Sequence, residues 1–183
     1  MKKPIFYLVL FPLFFSQVIG SAMQSEIPEP DLTVHQIMDD TIEILQKKYN
    51  IHPCGIGMNG KFEYLEISFE VRRPLEKDEA REMLFDCADE FLKKINSNEK
   101  IRPYLKNYPF DLKNVGIVFF IKNIDRRDLF DPNISVSLTH HSGVVYFTND
   151  PENTFRYKKT YKETHEEALK LVNEYRAKKI SHN

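Results

Sequence analysis

The stretch Leu65-Glu-Ile-Ser-Phe-Glu-Val71 (residues 65–71) decides the fold class, because apolar and polar residues alternate along its whole length. A period of two is typical of a β-strand with one buried and one solvent-facing side. The four apolar residues should therefore face a core, and the three polar residues should face water.

The residues before this strand predict a hairpin. Asn59-Gly60 is typical of a two-residue type I′ turn, because both positions of that turn need a positive φ angle. The turn should join a short strand around Cys54–Met58 to the longer strand. Pro74 follows closely and should end that longer strand.

Three helices are predicted by apolar residues that recur every three or four positions. The first should begin at the capping pair Thr33 and Gln36. The second and longest should run over Glu76–Asn96, and Thr164 with Glu167 should cap the third. Each helix has one apolar stripe, so each should pack one side against the sheet.

The remaining strands follow the second helix. Val115–Ile121 is a continuous apolar run, which is typical of a central strand. Residues 133–140 and 144–148 should form a second hairpin around His141-Ser142-Gly143, and Asp150 opens a loop. The element order is therefore α-β-β-α-β-β-β-α. It predicts an α+β fold whose sheet is mostly antiparallel, with about five strands and with helices packed largely on one face.

The N-terminus has the parts of a secretory signal peptide. Lys2-Lys3 forms a positive start, residues 5–15 are almost entirely apolar, and Gly20-Ser21-Ala22 supplies the small residues that cleavage after Ala22 requires. Cleavage after Gly20 is the alternative. The chain then divides into a signal peptide (1–22), a flexible lead-in (23–32) and a single α+β domain (33–183).

An uncleaved N-terminal membrane anchor is the alternative interpretation of the same leader. The apolar run is shorter than the roughly 20 residues that span a bilayer, and Pro12 interrupts it. No other stretch of the sequence could span a membrane. We therefore expect export, to the periplasm or out of the cell.

The charge of the chain argues against a nucleic-acid-binding protein. The sequence has 26 Lys and Arg against 27 Asp and Glu, a net charge of −1. Loss of Lys2-Lys3 with the leader makes the mature chain slightly more acidic. Charges of both signs are interspersed, so no basic surface for phosphates is expected. The expected partner is a protein or another component of the cell envelope.

Cys54 and Cys87 are the two cysteines of the sequence. In an exported protein they could form a disulfide, which would stabilise the fold by about 3–4 kcal/mol. The alternative is that Cys87 is a small hydrophobic residue on the apolar stripe of its helix. The sequence leaves both possibilities open.

Gly55-Ile-Gly57-Met-Asn-Gly60 matches the G-x-G-x-x-G pattern of dinucleotide-binding loops. That pattern needs a strand before it and a helix after it, whereas here a helix precedes and a strand follows. The glycines fit the predicted turn better, so we expect no cofactor. The patterns of P-loops, serine hydrolase elbows and zinc proteases do not occur in the sequence.

A secreted hydrolase is nevertheless an alternative, with a site assembled from His and Asp residues in loops. Neighbouring histidines on a strand point to opposite faces, so a shared metal ion is not expected. The spacing of the aspartates matches no calcium loop. The candidate catalytic residues are His52, Asp125, Asp128, His140 and His141.

Aromatic and arginine residues are concentrated in the predicted loops. They are typical of interfaces, because both bury area while keeping a polar end; alternatively, these rings cover the ends of the sheet. The sequence thus favours an exported, non-enzymatic binding domain, and a small-ligand binder using the sheet face is a further alternative. The candidate interface residues are Tyr104, Tyr108, Phe110, Arg126, Arg127, Phe130, Phe155, Arg156 and Tyr157.

The signal peptide makes a direct prediction about the native protein. Mass spectrometry of N-terminal peptides from the native cell should find a chain that begins at Met23, or at Ser21 if the alternative site is used. An intact chain beginning at Met1 in the membrane fraction would contradict export with cleavage.

Overall fold

The computed structural model describes residues 29–59 and 61–181, and the predicted signal peptide (1–22) lies outside them. These residues form three α-helices and six β-strands, with a short 3-10 turn after the second helix. In chain order the elements are α1 (Glu29–Tyr49), β1 (His52–Met58), β2 (Leu65–Val71), α2 (Lys77–Ser97), the 3-10 turn (Arg102–Tyr104), β3 (Val115–Ile121), β4 (Val136–His140), β5 (Gly143–Asn149), β6 (Tyr157–Glu163) and α3 (His165–Ser181).

The strands of the described residues form one sheet, in which each strand pairs with the next from β1 to β6. The pair β2–β3 is parallel, because α2 crosses back between these strands, and the other four pairs are antiparallel. The predicted α+β class, the mostly antiparallel sheet and the placement of helices on one face are confirmed. The predicted element order is also confirmed, except that the sheet has six strands rather than five.

The alternating residues of β2 lie as predicted. Leu65 and Phe69 are buried and pair with Val115 and Phe119 of β3. Paired side chains point to the same side of a sheet, so these residues form one continuous apolar surface. Helix α2 packs along the middle of this surface, contacts β3 and β4, and lies between α1 and α3. The core is therefore the layer between the helices and this face.

The other face of the sheet, which we call the open face, carries the alternate residues of each strand. Val118 and Phe120 of β3 and Val136 of β4 lie there, outside the core cluster that the helices cover. In residues 29–59 and 61–181 no helix packs on this side. The domain is thus two-layered in the described residues, with helices on one face of the sheet and none on the second face.

Helix α1 begins at Glu29, four residues before the predicted cap at Thr33. Glu29 and Asp31 lie in the first turn, where negative charge is favoured by the helix dipole, and Pro30 suits this position as well. The Thr33 hydroxyl instead donates a hydrogen bond to the backbone carbonyl of Glu29 at 3.0 Å. The predicted lead-in (23–32) is therefore too long, because its last four residues are helical.

The first hairpin forms as predicted, but its connection is longer than a two-residue turn. Met58 pairs with Leu65, so the connection spans residues 59–64. The Asn59 side chain accepts a hydrogen bond from the backbone amide of Glu63 at 2.7 Å. The Asn59 side chain thus stabilises a loop longer than two residues by a hydrogen bond inside that loop.

Strand β6 is the element that the sequence did not predict. Its sequence YKKTYKE contains three lysines and no aliphatic residue, and nearly all of it is exposed. It therefore lacks the apolar alternation from which the other strands were predicted. Lysine is common on edge strands, because its charge prevents the free edge from pairing with other chains.

A buried ion pair fastens β6 to α2. The side chains of Arg81 and Glu163 are 3% and 9% exposed, and Arg81 donates to both carboxylate oxygens at 2.7 Å. Lys77 at 2.7 Å and the Tyr146 hydroxyl at 3.0 Å donate to the same carboxylate. Burial alone would raise the pKa of Glu163, but the hydrogen bonds from Arg81 and Lys77 outweigh it and lower the pKa to about 2.

Replacing this carboxylate should destabilise the fold in a pH-dependent manner. Glu163→Gln should lower the free energy of unfolding at pH 7 by about 3 kcal/mol, because the buried Arg81 loses its buried anion and keeps only the largely exposed Asp78. Since the pKa of Glu163 is lowered in the folded state, its stabilisation is present above the pKa of an unfolded glutamate, about 4.3, and is lost as the pH falls below it. Urea denaturation from pH 7 to pH 3 measures both effects.

Glu43→Gln is the matched control. Glu43 forms an exposed ion pair with Lys47 on α1, so its loss should cost under about 0.5 kcal/mol. The difference in free energy of unfolding between Glu163→Gln and the wild type should become smaller as the pH falls. A difference of the same size at every pH would contradict the role given to the Glu163 charge.

Candidate binding surface

Two connections leave the sheet at the same end. Strands β3 and β5 are both antiparallel to β4 between them, so both run toward this end. Residues 122–135 then lead to β4, and residues 150–156 lead to β6. We call these two connections the loop end. Loops positioned by a rigid sheet are where binding residues most often lie.

The first loop is folded tightly at its tip. The backbone amide of Asn123 donates to the Arg127 carbonyl at 2.9 Å, and the amide of Arg126 donates back to the Asn123 carbonyl at 2.8 Å. The Asp125 carboxylate accepts hydrogen bonds from the backbone and the guanidinium group of Arg127, which lower its pKa. This tip holds Ile124 with 82% of its surface exposed.

The second loop is built around a buried carboxylate. Asp150 is 1% exposed and accepts hydrogen bonds from the backbone amide of Glu152 at 3.1 Å and from Arg156 Nε at 2.8 Å. These hydrogen bonds lower the pKa of Asp150. The Asn153 side chain accepts from the backbone amide of Phe155 at 3.1 Å. Phe155 is nevertheless 98% exposed, so an ordered loop presents an aromatic ring to solvent.

The two loops are tied to each other through the end of β5. The Asn149 side chain donates to the Leu129 carbonyl at 3.0 Å. Asp131 accepts hydrogen bonds from the Thr148 hydroxyl at 2.9 Å and from Lys159 at 3.1 Å, and these lower its pKa. The loop end is therefore one connected structure rather than two independent loops.

Exposed apolar side chains on ordered loops are suited to binding. Because the backbone of these loops is already ordered, little further conformational entropy is lost when a partner covers it. Tyr157, at the start of β6, stacks on Phe147 with ring centroids 4.2 Å apart, which fixes a third large side chain beside the loops. The arrangement offers apolar contact surface, and its four aspartates are already paired with cations of the protein.

The structure divides the predicted interface residues between the two ends of the sheet. Tyr104, Tyr108 and Phe110 lie on the crossover into β3, at the end opposite the loops. Phe110 is buried, and the Asn96 side chain holds its backbone, so it is a core residue. The six at the loop end are Arg126, Arg127, Phe130, Phe155, Arg156 and Tyr157.

Ile124 is the residue of this surface that the sequence analysis missed. Its charged neighbours Asp125, Arg126 and Arg127 are among the predicted candidates, but Ile124 is not. An isolated isoleucine among charged residues in a predicted turn is the signal that could have revealed it.

The five predicted catalytic residues do not converge. His52, Asp125 and Asp128 lie at the loop end, where the aspartates form ion pairs with Arg127 and Lys122. His140 ends β4 and His141 follows it, at the opposite end, roughly 17 Å away along the strands. The structure therefore separates the two histidines of the turn from the predicted aspartates.

The turn at His140 has local contacts of its own. The His140 ring lies 3.0 Å from the Ser142 hydroxyl, and the His140 carbonyl accepts a hydrogen bond from His165 Nε2 at 2.8 Å. Burial is the main cause that lowers the pKa of His140 and of His165. These contacts connect the β4–β5 turn to the first residue of α3, a role that the sequence did not predict for His165.

The alternative of a Cys54–Cys87 disulfide is wrong for this structure, since both cysteines are free. Cys87 is fully buried on α2, which places its thiol in the core between helices and sheet. Cys54 is exposed on the edge strand β1. Burial raises the pKa of both thiols, and the charge of Glu70 adds to the effect at Cys54.

The remaining motifs have plain structural positions. Gly55 and Gly57 lie within β1, and the next element is strand β2 rather than a helix. Among residues 29–59 and 61–181, no three His, Cys, Asp or Glu side chains come together so that they could hold a metal ion.

The fold and the loop end thus define an α+β domain with a six-stranded mixed sheet in the described residues. Comparison with models of protein families, with curated proteins and with solved structures finds no match for the chain.

The buried Asp150 should determine the order of the second loop. Asp150→Ala removes the acceptor for Glu152 and Arg156, so the amides of residues 150–156 should exchange faster with deuterium. Asp125→Ala, in the exposed tip of the first loop, is the control and should leave that exchange unchanged. Unaltered protection in Asp150→Ala would show that the loop does not depend on this carboxylate.

Proposed function

We propose that this protein is an exported, non-enzymatic binding domain and that it contacts a protein or envelope partner through the loop end. The observation that carries the proposal is the high exposure of Phe155 and Ile124, 98% and 82%, on loops that internal hydrogen bonds keep ordered. The loops contribute rigidity, and the two side chains contribute apolar area.

Phe155 is the main source of binding energy in this proposal. Covering an exposed phenylalanine side chain contributes roughly 2–3 kcal/mol. Aromatic residues at the centre of a contact commonly dominate its affinity, and arginines at the rim add hydrogen bonds. Arg126, 63% exposed at its side chain, lies on the same surface and pairs with Glu70 at 3.2 Å. A partner with an apolar pocket and a polar rim fits this arrangement.

The alternatives from the sequence are less well supported. A hydrolase needs its histidine and its aspartate within hydrogen-bond reach, and His140 lies at the end of the sheet opposite Asp125. His52 lies at the same end as Asp125 and Asp128, but these carboxylates bond to Arg127 and Lys122. A ligand pocket between sheet and helices needs free volume, whereas the side chains there are buried against each other. The binding domain requires neither feature.

Export is supported by the sequence of the leader, residues 1–22. In the described part of the chain no helix is long and apolar enough to cross a membrane. The proposed compartment is the periplasm or the medium, and the proposed partner is exposed there.

Truncation of Phe155 should separate binding from folding. Phe155→Ala should weaken capture of the partner about tenfold or more, because the exposed ring supplies contact area. It should leave the melting temperature unchanged, because the ring is 98% exposed in the free protein. Pull-down from an extract of the envelope, with quantitative mass spectrometry, measures the first effect, and thermal denaturation measures the second.

Tyr104→Ala is the matched control, since Tyr104 is an exposed aromatic residue at the opposite end of the sheet. A specific partner should be captured by the wild type and by Tyr104→Ala and lost with Phe155→Ala. Equal capture by all three proteins would contradict a binding role for the loop end.

A further inference from the structure

The open face has an apolar centre on its three middle strands β3, β4 and β5. In the register of these strands the side chains form two rows of three across the sheet. The valines are buried beneath their larger neighbours, whereas Phe120 is 41% exposed. The two rows are Val118, Leu138 and Val145, and Phe120, Val136 and Phe147.

One charged residue flanks this centre on each side without a partner of opposite charge. Glu66 lies on β2, where its carboxylate accepts a hydrogen bond from the Tyr64 hydroxyl at 3.2 Å. Lys162 lies on β6, opposite Val145. Among residues 29–59 and 61–181, Glu66 has no cation and Lys162 has no carboxylate within ion-pair distance. The apolar centre is thus bordered by an acid on one side and a base on the other.

The other acid of this face is already neutralised. Glu70 accepts a hydrogen bond from Arg72 at 2.7 Å and forms an ion pair with Arg126 at 3.2 Å, and these cations lower its pKa. The charges left to attract a partner on β2 and β6 are therefore those of Glu66 and Lys162.

From this pattern we propose that the open face binds the open face of a second copy of this chain, forming a two-fold symmetric dimer. A two-fold axis above β4 and parallel to the strands places β4 on its symmetry mate, β3 on β5, and β2 on β6. The apolar centre of each copy then covers that of the other. Glu66 of each copy meets Lys162 of the partner copy, so one complementary pair forms on each side of the axis.

The distances allow this contact. Packed sheets lie about 10 Å apart, and Glu66 and Lys162 differ by two residues, or about 7 Å, along the strands. A lysine and a glutamate side chain can together reach across such a gap. A two-fold axis perpendicular to the strands would instead place Glu66 on Glu66, so the charges select the parallel axis.

The area is sufficient for a specific dimer. The strands β2 to β6 give a face about 24 Å wide and about 20 Å long. Two such faces bury on the order of 1,000 Å² of total surface, at the lower end of specific interfaces. This dimer goes beyond the proposed function, because it covers the open face with Phe147 and the Tyr157 ring stacked on it, whereas the proposed function rests on Phe155 and Ile124.

Charge reversal tests the dimer. Protein from cells that express the full-length chain should sediment at twice its monomer mass at micromolar concentration. Glu66→Lys or Lys162→Glu alone should weaken dimerisation at least tenfold, because each places like charges together on both sides of the axis. The double variant Glu66→Lys with Lys162→Glu restores opposite charges and should recover the affinity of the wild type to within about threefold.

Phe120→Asp should abolish the dimer, whereas Leu169→Asp, at a similarly exposed leucine on α3, should not affect it. Circular dichroism and the melting temperature check that every variant is folded. A wild type that stays monomeric, or a dimer that these changes on the open face do not weaken, would overturn the proposal. The outcome is independent of the proposed function, since a monomer that still captures a partner through Phe155 refutes the dimer alone.

Discussion

The carboxylate of Glu163 accepts hydrogen bonds from Arg81, Lys77 and Tyr146 in a site from which water is largely excluded. Strand β6 contributes no aliphatic side chain to the core, so apolar burial cannot hold it in the sheet. Its place depends on backbone pairing with β5, on this ion pair with α2 and on the more exposed contacts of Tyr157 with Phe147 and of Lys159 with Asp131. Removing either charge would leave the other buried with only a more exposed partner, Asp78 for Arg81 or Lys77 for Glu163, which is more costly than losing an exposed ion pair.

The same constraint determines what both proposed surfaces present. Successive side chains of a strand point to opposite faces, so fixing Glu163 toward α2 fixes Lys162 on the open face. The register of β6 also closes the loop that carries Phe155, because Asp150 and Arg156 lie at its two ends. A shift of β6 by one residue would withdraw Lys162 from the open face and disrupt this loop. One buried ion pair therefore positions residues at two separate surfaces.

Elements with a local signal could be predicted from the sequence, and elements held by distant contacts could not. The alternation in β2, the apolar run of β3 and the capping pair Thr164 and Glu167 were predicted, and the structure has all three. Strand β6 was not, because its partner Arg81 lies 82 residues away from Glu163. At the candidate site Phe155 and Arg126 could be predicted by residue type, but the order of the loop that carries Phe155 depends on Asp150, and no sequence pattern reveals that this aspartate is buried.

The two proposals together have a geometric consequence. A two-fold axis parallel to the strands reverses left and right across the sheet but keeps the direction of every strand. The loop ends of both copies therefore lie at the same end of the dimer, where Phe155 and Ile124 occur twice. When a partner has two matching sites, binding at the first site raises the effective concentration at the second. Weak affinity at each site can therefore give high overall affinity. A small exposed surface on each chain is then sufficient for a useful affinity.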